Sequence, residues 1–196
     1  MKHNKLVCIV GLTGAGKTEI ANYFKDQGYA YVRFGQITLD EVARRGLEPT
    51  EENERPIREA FRKEYGPAAY AILNMPKFDA GLQKSNVIGD GLYSWDEFKV
   101  LKEKYGENFI VIAVIAKAGI RYARLVNRAE KHGADPKMIY RSATFEAAQA
   151  RDYAEIENIA KAGPIVMADY TIVNEGTMAE FQEKIKQLYN TINNEN

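Results

Sequence analysis

Gly11-Leu12-Thr13-Gly14-Ala15-Gly16-Lys17-Thr18 is the stretch on which the reading of this chain turns. It matches G-x-x-x-x-G-K-[ST], follows the apolar run Leu6-Val7-Cys8-Ile9-Val10 and precedes a helical pattern, Glu19 to Gln27, that Gly28 closes. Strand, glycine-rich loop and helix in that order are the context a phosphate-binding loop needs. Gly11, Thr13, Gly14, Ala15 and Gly16 supply backbone N–H groups that can wrap a polyphosphate, and the helix start adds the positive end of its dipole. Lys17 brings a positive charge to the β/γ oxygens, and the Thr18 hydroxyl is a ligand for Mg²⁺. A glycine turn without a ligand is the alternative, and the flanking strand and helix argue against it.

Outward from the loop, short apolar runs alternate with longer amphipathic ones, which predicts an α/β fold with a parallel sheet between helices. Strands are expected at Leu6 to Val10, Tyr29 to Phe34, Asn86 to Gly89, Phe109 to Ala116 and Tyr170 to Val173. Ser94 with Glu97 and Thr177 with Glu180 read as capping boxes, and Asp135-Pro136 as an N-cap followed by proline. Two regions break the alternation. Residues 36–85 hold helical patterns interrupted at Gly46-Leu47-Glu48-Pro49 and Gly66-Pro67, too long for a plain crossover, and read as a helical insertion. Residues 128–151, interrupted at Lys131-His132-Gly133-Ala134-Asp135, read as a lid. The core of a single domain is then 1–35, 86–127 and 152–196.

The 196 residues are ample for a buried core, and 27 basic residues against 27 acidic ones give a net charge of zero. That balance offers no electrostatic argument for nucleic acid or an anionic membrane. The single cysteine, Cys8, excludes an internal disulfide and a cysteine metal cluster, and its place in a strand pattern predicts an inert thiol. The apolar run after Met1-Lys2-His3-Asn4-Lys5 is too short for a signal sequence or a span, which points to the cytoplasm. A monomer or small homo-oligomer is expected.

Phosphoryl transfer asks for charge placement more than covalent help. Asp90 closes Val87-Ile88-Gly89-Asp90-Gly91 where an acid would reach the Mg²⁺ shell, although Asp-Gly is also a common turn pair. Arg121, Arg124 and Arg128 share a helix face after the strongest strand, either as a solvated basic row or as cations beside the ligand crevice. Arg141 and Arg151 are candidates for phosphate contacts from the lid, with Asp152 placed to hold Arg151. Arg33, Arg44, Arg45, Arg58 and Arg62 are candidates for gripping an acceptor phosphate, and Gln36 and Asp40 for orienting an acceptor. His3 and His132 read as surface residues, and Trp95, Tyr65, Tyr70 and Phe78 as core.

The ordered set of motifs resembles the nucleoside monophosphate kinase-like branch of P-loop kinases, and more closely a group described as adenylate kinase-like or dephospho-CoA kinase-like. The likeness is carried by residues 11–18, Val32-Arg33-Phe34-Gly35, Arg44-Arg45-Gly46-Leu47-Glu48-Pro49-Thr50, Arg62-Lys63-Glu64-Tyr65-Gly66-Pro67, Asp90-Gly91, Arg124-Leu125-Val126-Asn127-Arg128, Arg151-Asp152 and Ala168-Asp169-Tyr170-Thr171-Ile172-Val173-Asn174-Glu175-Gly176. The resemblance implies a five-stranded parallel sheet in a three-layer sandwich, with an acceptor-binding insertion and a lid. It places Arg124 near the adenine of ATP, Arg128 and the lid arginines at phosphates, and Asn174 to Thr177 along the adenine pocket. It departs at Leu92-Tyr93-Ser94-Trp95, where adenylate kinases carry an arginine, at Gly35-Gln36 in place of Gly-Asp, and in lacking the acid pair of dephospho-CoA kinases after the second strand.

The expectation is an ATP- and Mg²⁺-dependent P-loop kinase acting on a small phosphorylated acceptor, a nucleotide. The rivals are a dephospho-CoA kinase and, in another class, an ATP-controlled binding protein. A GTPase is disfavoured by the lack of an Asn-Lys-x-Asp motif, and a nucleic-acid motor by charge and size.

Overall fold

The computed structural model describes residues 4–127 and 143–194. Asp135-Pro136, His132, Arg128, Arg141, most of the expected lid and His3 lie outside the described residues. Strands β1 (Leu6–Val10), β2 (Ala30–Arg33), β3 (Val87–Asp90), β4 (Phe109–Ile115) and β5 (Tyr170–Val173) form one parallel sheet in the order β2-β3-β1-β4-β5. The strands match the expected ones with no end shifted by more than one residue. The pairs Ile9↔Asp90 and Arg33↔Asp90 bring the ends of β1, β2 and β3 to one edge of the sheet, where the glycine loop begins.

Alternation along β1 builds two apolar layers, because successive side chains of a strand point to opposite faces. Leu6, Cys8 and Val10 face α4 (Ala69–Leu82) and α5 (Trp95–Tyr105), meeting Phe78 and Leu101. Val7 and Ile9 face α1 (Lys17–Asp26) and α9 (Met178–Asn194), meeting Phe24 and Ile185. All of these side chains are fully or almost fully buried, and each contributes about 1.5–3 kcal/mol where it is Val, Leu, Ile or Phe. Cys8 is buried among them, and that burial pushes its thiol pKa well up, as an inert thiol requires.

The insertion is helical. Helix α2 (Gln36–Arg44) ends before Gly46, α3 (Glu51–Tyr65) starts on a Thr50 cap that accepts from Asn53 N at 3.4 Å, and Gly66 separates it from α4. Both breaks fall where the sequence places them. Helix α5 opens on the expected capping box, with Glu97 N on Ser94 Oγ at 3.1 Å and Ser94 N on Glu97 Oε2 at 3.3 Å. The same reciprocal pair joins Thr177 and Glu180 ahead of α9. After β4, α6 (Ala118–Val126) precedes the undescribed stretch, and α7 (Phe145–Ile159) and the short α8 (Ala162–Val166) lead to β5. Helix α7 runs unbroken through residues 151 and 152, so the expected lid boundary falls inside a helix. Tyr70 and Phe78 are core, whereas Tyr65, expected there, is 39% exposed near the C-terminal end of α3.

Candidate active site

The loop between β1 and α1 is shaped by what its carbonyls bond to behind it. Arg121 Nη1 of α6 donates to Thr13 O at 3.1 Å, and Asn174 Nδ2, just past β5, donates to Ala15 O at 2.8 Å. A trans peptide plane turns the N–H that follows the opposite way, so Gly14 N–H and Gly16 N–H are aimed away from those partners, and both glycines line the crevice. Gly14 (φ 84°) and Gly16 (φ 114°) occupy backbone that side-chain-bearing residues rarely adopt. A Cβ at Gly14 would sit 2.7 Å from Arg121 O, and one at Gly16 2.5 Å from Asn174 Nδ2. The cradle is therefore specified by residues more than a hundred positions away.

Gly16 leads directly into α1, whose first residues are Lys17 and Thr18. Lys17 Nζ lies inside the loop, donating to Gly11 O at 2.8 Å and Leu12 O at 3.3 Å. Burial, and after it the nearby ammonium of Lys161, lowers the Lys17 pKa to about 7.

A crevice of about 900 Å³ opens in front of the loop. On the loop side it is lined by Thr13, Gly14, Gly16, Lys17 and Thr18, with Asp90 and Gly91 from the end of β3. Tyr31 hydroxyl donates to Asp90 Oδ2 at 3.0 Å and so orients that carboxylate. The end of β2 contributes Arg33 and the insertion Thr38, Glu51, Glu54, Arg55, Arg58, Glu59, Arg62 and Tyr70, and the far wall is α7 with Arg151 and Glu155, then Lys161.

Of the expected acceptor cations, the structure brings Arg33, Arg58 and Arg62 to the crevice. Arg58 is engaged by two acids, Glu51 and the buried Glu54, the latter at 3.3 Å. The Arg62 guanidinium lies 5.5 Å over the Tyr70 ring. Gln36, Asp40, Arg44 and Arg45 are not part of the lining. Arg44 and Arg45 both bind Glu41 on an exposed helix face, and Gln36 bonds Asp40, which is 3.6 Å from Lys77. Neighbours at i,i+3 and i,i+4 satisfied these charges locally, a competition that residue type alone does not reveal.

Two expectations about arginines are corrected. Arg121 is not a solvated cation or a crevice cation but a buried one, paired with Asp152 at 2.6 Å and supporting the back of the loop. Asp152 does not hold Arg151: adjacent helical residues point about a quarter-turn or more apart, and Asp152 faces Arg121 and the Tyr122 hydroxyl while Arg151 takes Glu155 at 3.0 Å. Arg124 reaches Asn174, its Nη2 donating to the backbone O at 3.1 Å and Oδ1 at 3.3 Å. Gly176 lies two residues beyond Asn174, ahead of the Thr177 cap.

Of the far wall, sequence reading singled out Arg151 but missed Glu155 and Lys161. Glu155 bonds Arg151 with one oxygen and Lys161 with the other, the latter at 2.8 Å, and Lys161 Nζ lies 5.2 Å over the Tyr93 ring. Burial raises the Glu155 pKa, but Lys161 and Arg151 outweigh it and hold the carboxyl at about 2. The i,i+4 spacing of Arg151 and Glu155 was legible. Lys161 was not, since it depends on a backbone turn at Ala160.

The residues present fit a nucleoside triphosphate with Mg²⁺: the cradle leaves no room for side chains at Gly14 and Gly16, and a hydroxyl at Thr18 and a carboxylate at Asp90 share one crevice. Among the described residues no group of three or more His, Cys, Asp or Glu could hold a metal ion. No described helix is long and apolar enough to cross a membrane.

Comparison with known proteins bears on the family and the fold. Residues 7–149 match the model for the AAA domain. The chain is 34% identical over 189 residues to a UPF0200 protein of Thermococcus kodakarensis, covering 95% of this chain and 97% of that one. It is 31% identical over 186 residues to a UPF0200 protein of Hyperthermus butylicus, covering 95% and 94%. Among solved structures, a shikimate kinase from Bacteroides thetaiotaomicron superposes with a TM-score of 0.58 at 12% identity, over 96% of this chain and 98% of that one. A gluconokinase from Sinorhizobium meliloti gives 0.52 at 11% identity, over 96% and 98%. The fold is that of P-loop kinases.

Proposed function

This chain belongs to the UPF0200 family and carries the AAA domain, and on that premise we propose that it transfers a phosphoryl group from ATP to a small phosphorylated acceptor, a nucleotide. Neither family name specifies a reaction, so the acceptor is argued from the crevice. The observation that carries the reading is that a glycine cradle with Lys17 and Thr18 opens onto the same space as Asp90, Arg151 and the Arg62 guanidinium.

In this reading Gly14 and Gly16 N–H groups and Lys17 bind the donor phosphates, and Thr18 and Asp90 hold Mg²⁺, which neutralises charge as the phosphoryl group moves. Arg62 and Arg33 face the acceptor, and Arg124 and Asn174 flank the base. The ion pairs narrow the acceptor. Of the crevice carboxylates, Glu51 and Glu54 are taken by Arg58, Glu59 by Arg55, and Glu155 by Arg151 and Lys161. Asp90 accepts from the Tyr31 hydroxyl and would be taken up with Mg²⁺. A hydroxyl acceptor needs a base to take its proton, whereas a phosphate oxygen attacks already ionised, so the pairing favours a phosphate.

A coupled ADP-release assay over nucleoside monophosphates, dephospho-CoA, shikimate and gluconate tests this. Turnover stimulated by a nucleoside monophosphate is expected. Stimulation by an alcohol instead, or ATP binding with no stimulation by any of them, rejects it.

A further inference from the structure

Ala160 is the one non-glycine residue with positive φ among the described residues, at φ 49° and ψ 43°. Left-handed backbone costs a β-carbon-bearing residue roughly 1–2 kcal/mol, and such strain gathers at functional sites. Its effect here is geometric. Helix α7 stops at Ile159, the chain reverses, and Lys161 N returns to Glu155 O at 3.2 Å. The Lys161 side chain is thereby folded back along the helix end into the crevice wall, 1% exposed, with its ammonium on Glu155 and over Tyr93.

A buried ammonium is expensive unless paired, and one carboxylate serves two cations here. Glu155 is shared between Arg151 and Lys161, so the pair carries one positive charge beyond its counterion. The nearest mobile partner of opposite sign would be a phosphate seated on the loop, since Lys17, Arg151 and Lys161 line one crevice.

We propose that Lys161 is a phosphate-binding residue of this site: with Arg151 it forms an anion subsite for the terminal phosphoryl group of the nucleotide, and Glu155 holds both cations in place until that group arrives. The proposal rests on the reading of the loop as an ATP site and adds to it a residue, a resting-state partner and a selectivity. Because the subsite serves the third phosphate, it makes the protein prefer ATP to ADP.

Isothermal titration of ATP and of ADP at fixed Mg²⁺ tests it on wild type, Lys161→Met and Lys161→Arg. Loss of a charged hydrogen bond to the terminal phosphoryl weakens ATP binding about tenfold to a hundredfold, while ADP affinity changes less than about twofold. Lys161→Arg restores most of the preference. Should Lys161→Met melt before titration, Lys161→Gln, which keeps a donor for Glu155, is read in its place. A folded Lys161→Met or Lys161→Gln protein with an unchanged ATP-to-ADP ratio overturns the proposal and leaves the ATP reading standing. Wild-type protein that binds neither nucleotide overturns the ATP reading and this proposal with it.

Discussion

The two sides of the crevice are made in different ways. On the loop side, positions are set by backbone: carbonyls of Thr13 and Ala15 are held from behind by Arg121 and Asn174, and glycines fill backbone that other residues cannot adopt. On the insertion side, positions are set by side chains of α3 that pair among themselves, Arg58 with Glu51 and Glu54, and Arg55 with Glu59. The first construction is preorganised and buried. The second is charged and partly exposed.

The contrast can be broken most forcefully at Asp152. Its carboxylate is buried against Arg121 and the Tyr122 hydroxyl, and Asp152→Ala leaves a buried guanidinium without its counterion. The expected loss is about 3–5 kcal/mol of unfolding free energy by urea titration, and a loss below about 1 kcal/mol would mean that the loop is not braced from behind. Next in size is Lys17→Ala, which removes a fixed charge from the cradle and should lower turnover about 10²- to 10³-fold with little change in melting temperature. Arg62→Ala, on the other wall, should raise the acceptor KM about tenfold or more and leave ATP affinity alone, whereas Arg44→Ala, whose partner is the exposed Glu41, should change neither.

The smallest effect concerns pH. Lys17, facing Lys161, Glu155, Asp90 and Arg151, has its pKa lowered to about 7, so above neutral pH the free protein holds it increasingly uncharged. Polyphosphate binding favours the ammonium, and nucleotide affinity should therefore be flat below pH 7 and weaken by up to about tenfold per unit above it. Titration at pH 8 in buffers of different ionisation enthalpy should report proton uptake on binding. Proton release, or an affinity that rises with pH, would reverse the assignment.

What the sequence made legible follows the same division. The loop, the strand order's raw material and both capping boxes were readable because each depends on residues within a few positions of one another. Asp90 at the edge of β3 was readable because strand ends in a parallel sheet gather at one side. The burial of Arg121 was not, since only the packing of α6 on α7 reveals that Asp152 waits for it. Nor were the local pairs that remove Gln36, Asp40 and Arg44 from the crevice, because a row of arginines looks the same whether it awaits a ligand or has a glutamate one turn away. Lys161 escaped notice for a third reason: it reaches the wall only through a single backbone reversal at Ala160.

Arg121 touches both halves of the machinery at once, Thr13 O on one side and Asp152 of α7 on the other. The loop contacts and the Arg151 and Lys161 contacts of one nucleotide would then be coupled through that brace. By reciprocity, whatever tightness the first set confers on the second must be returned in equal measure.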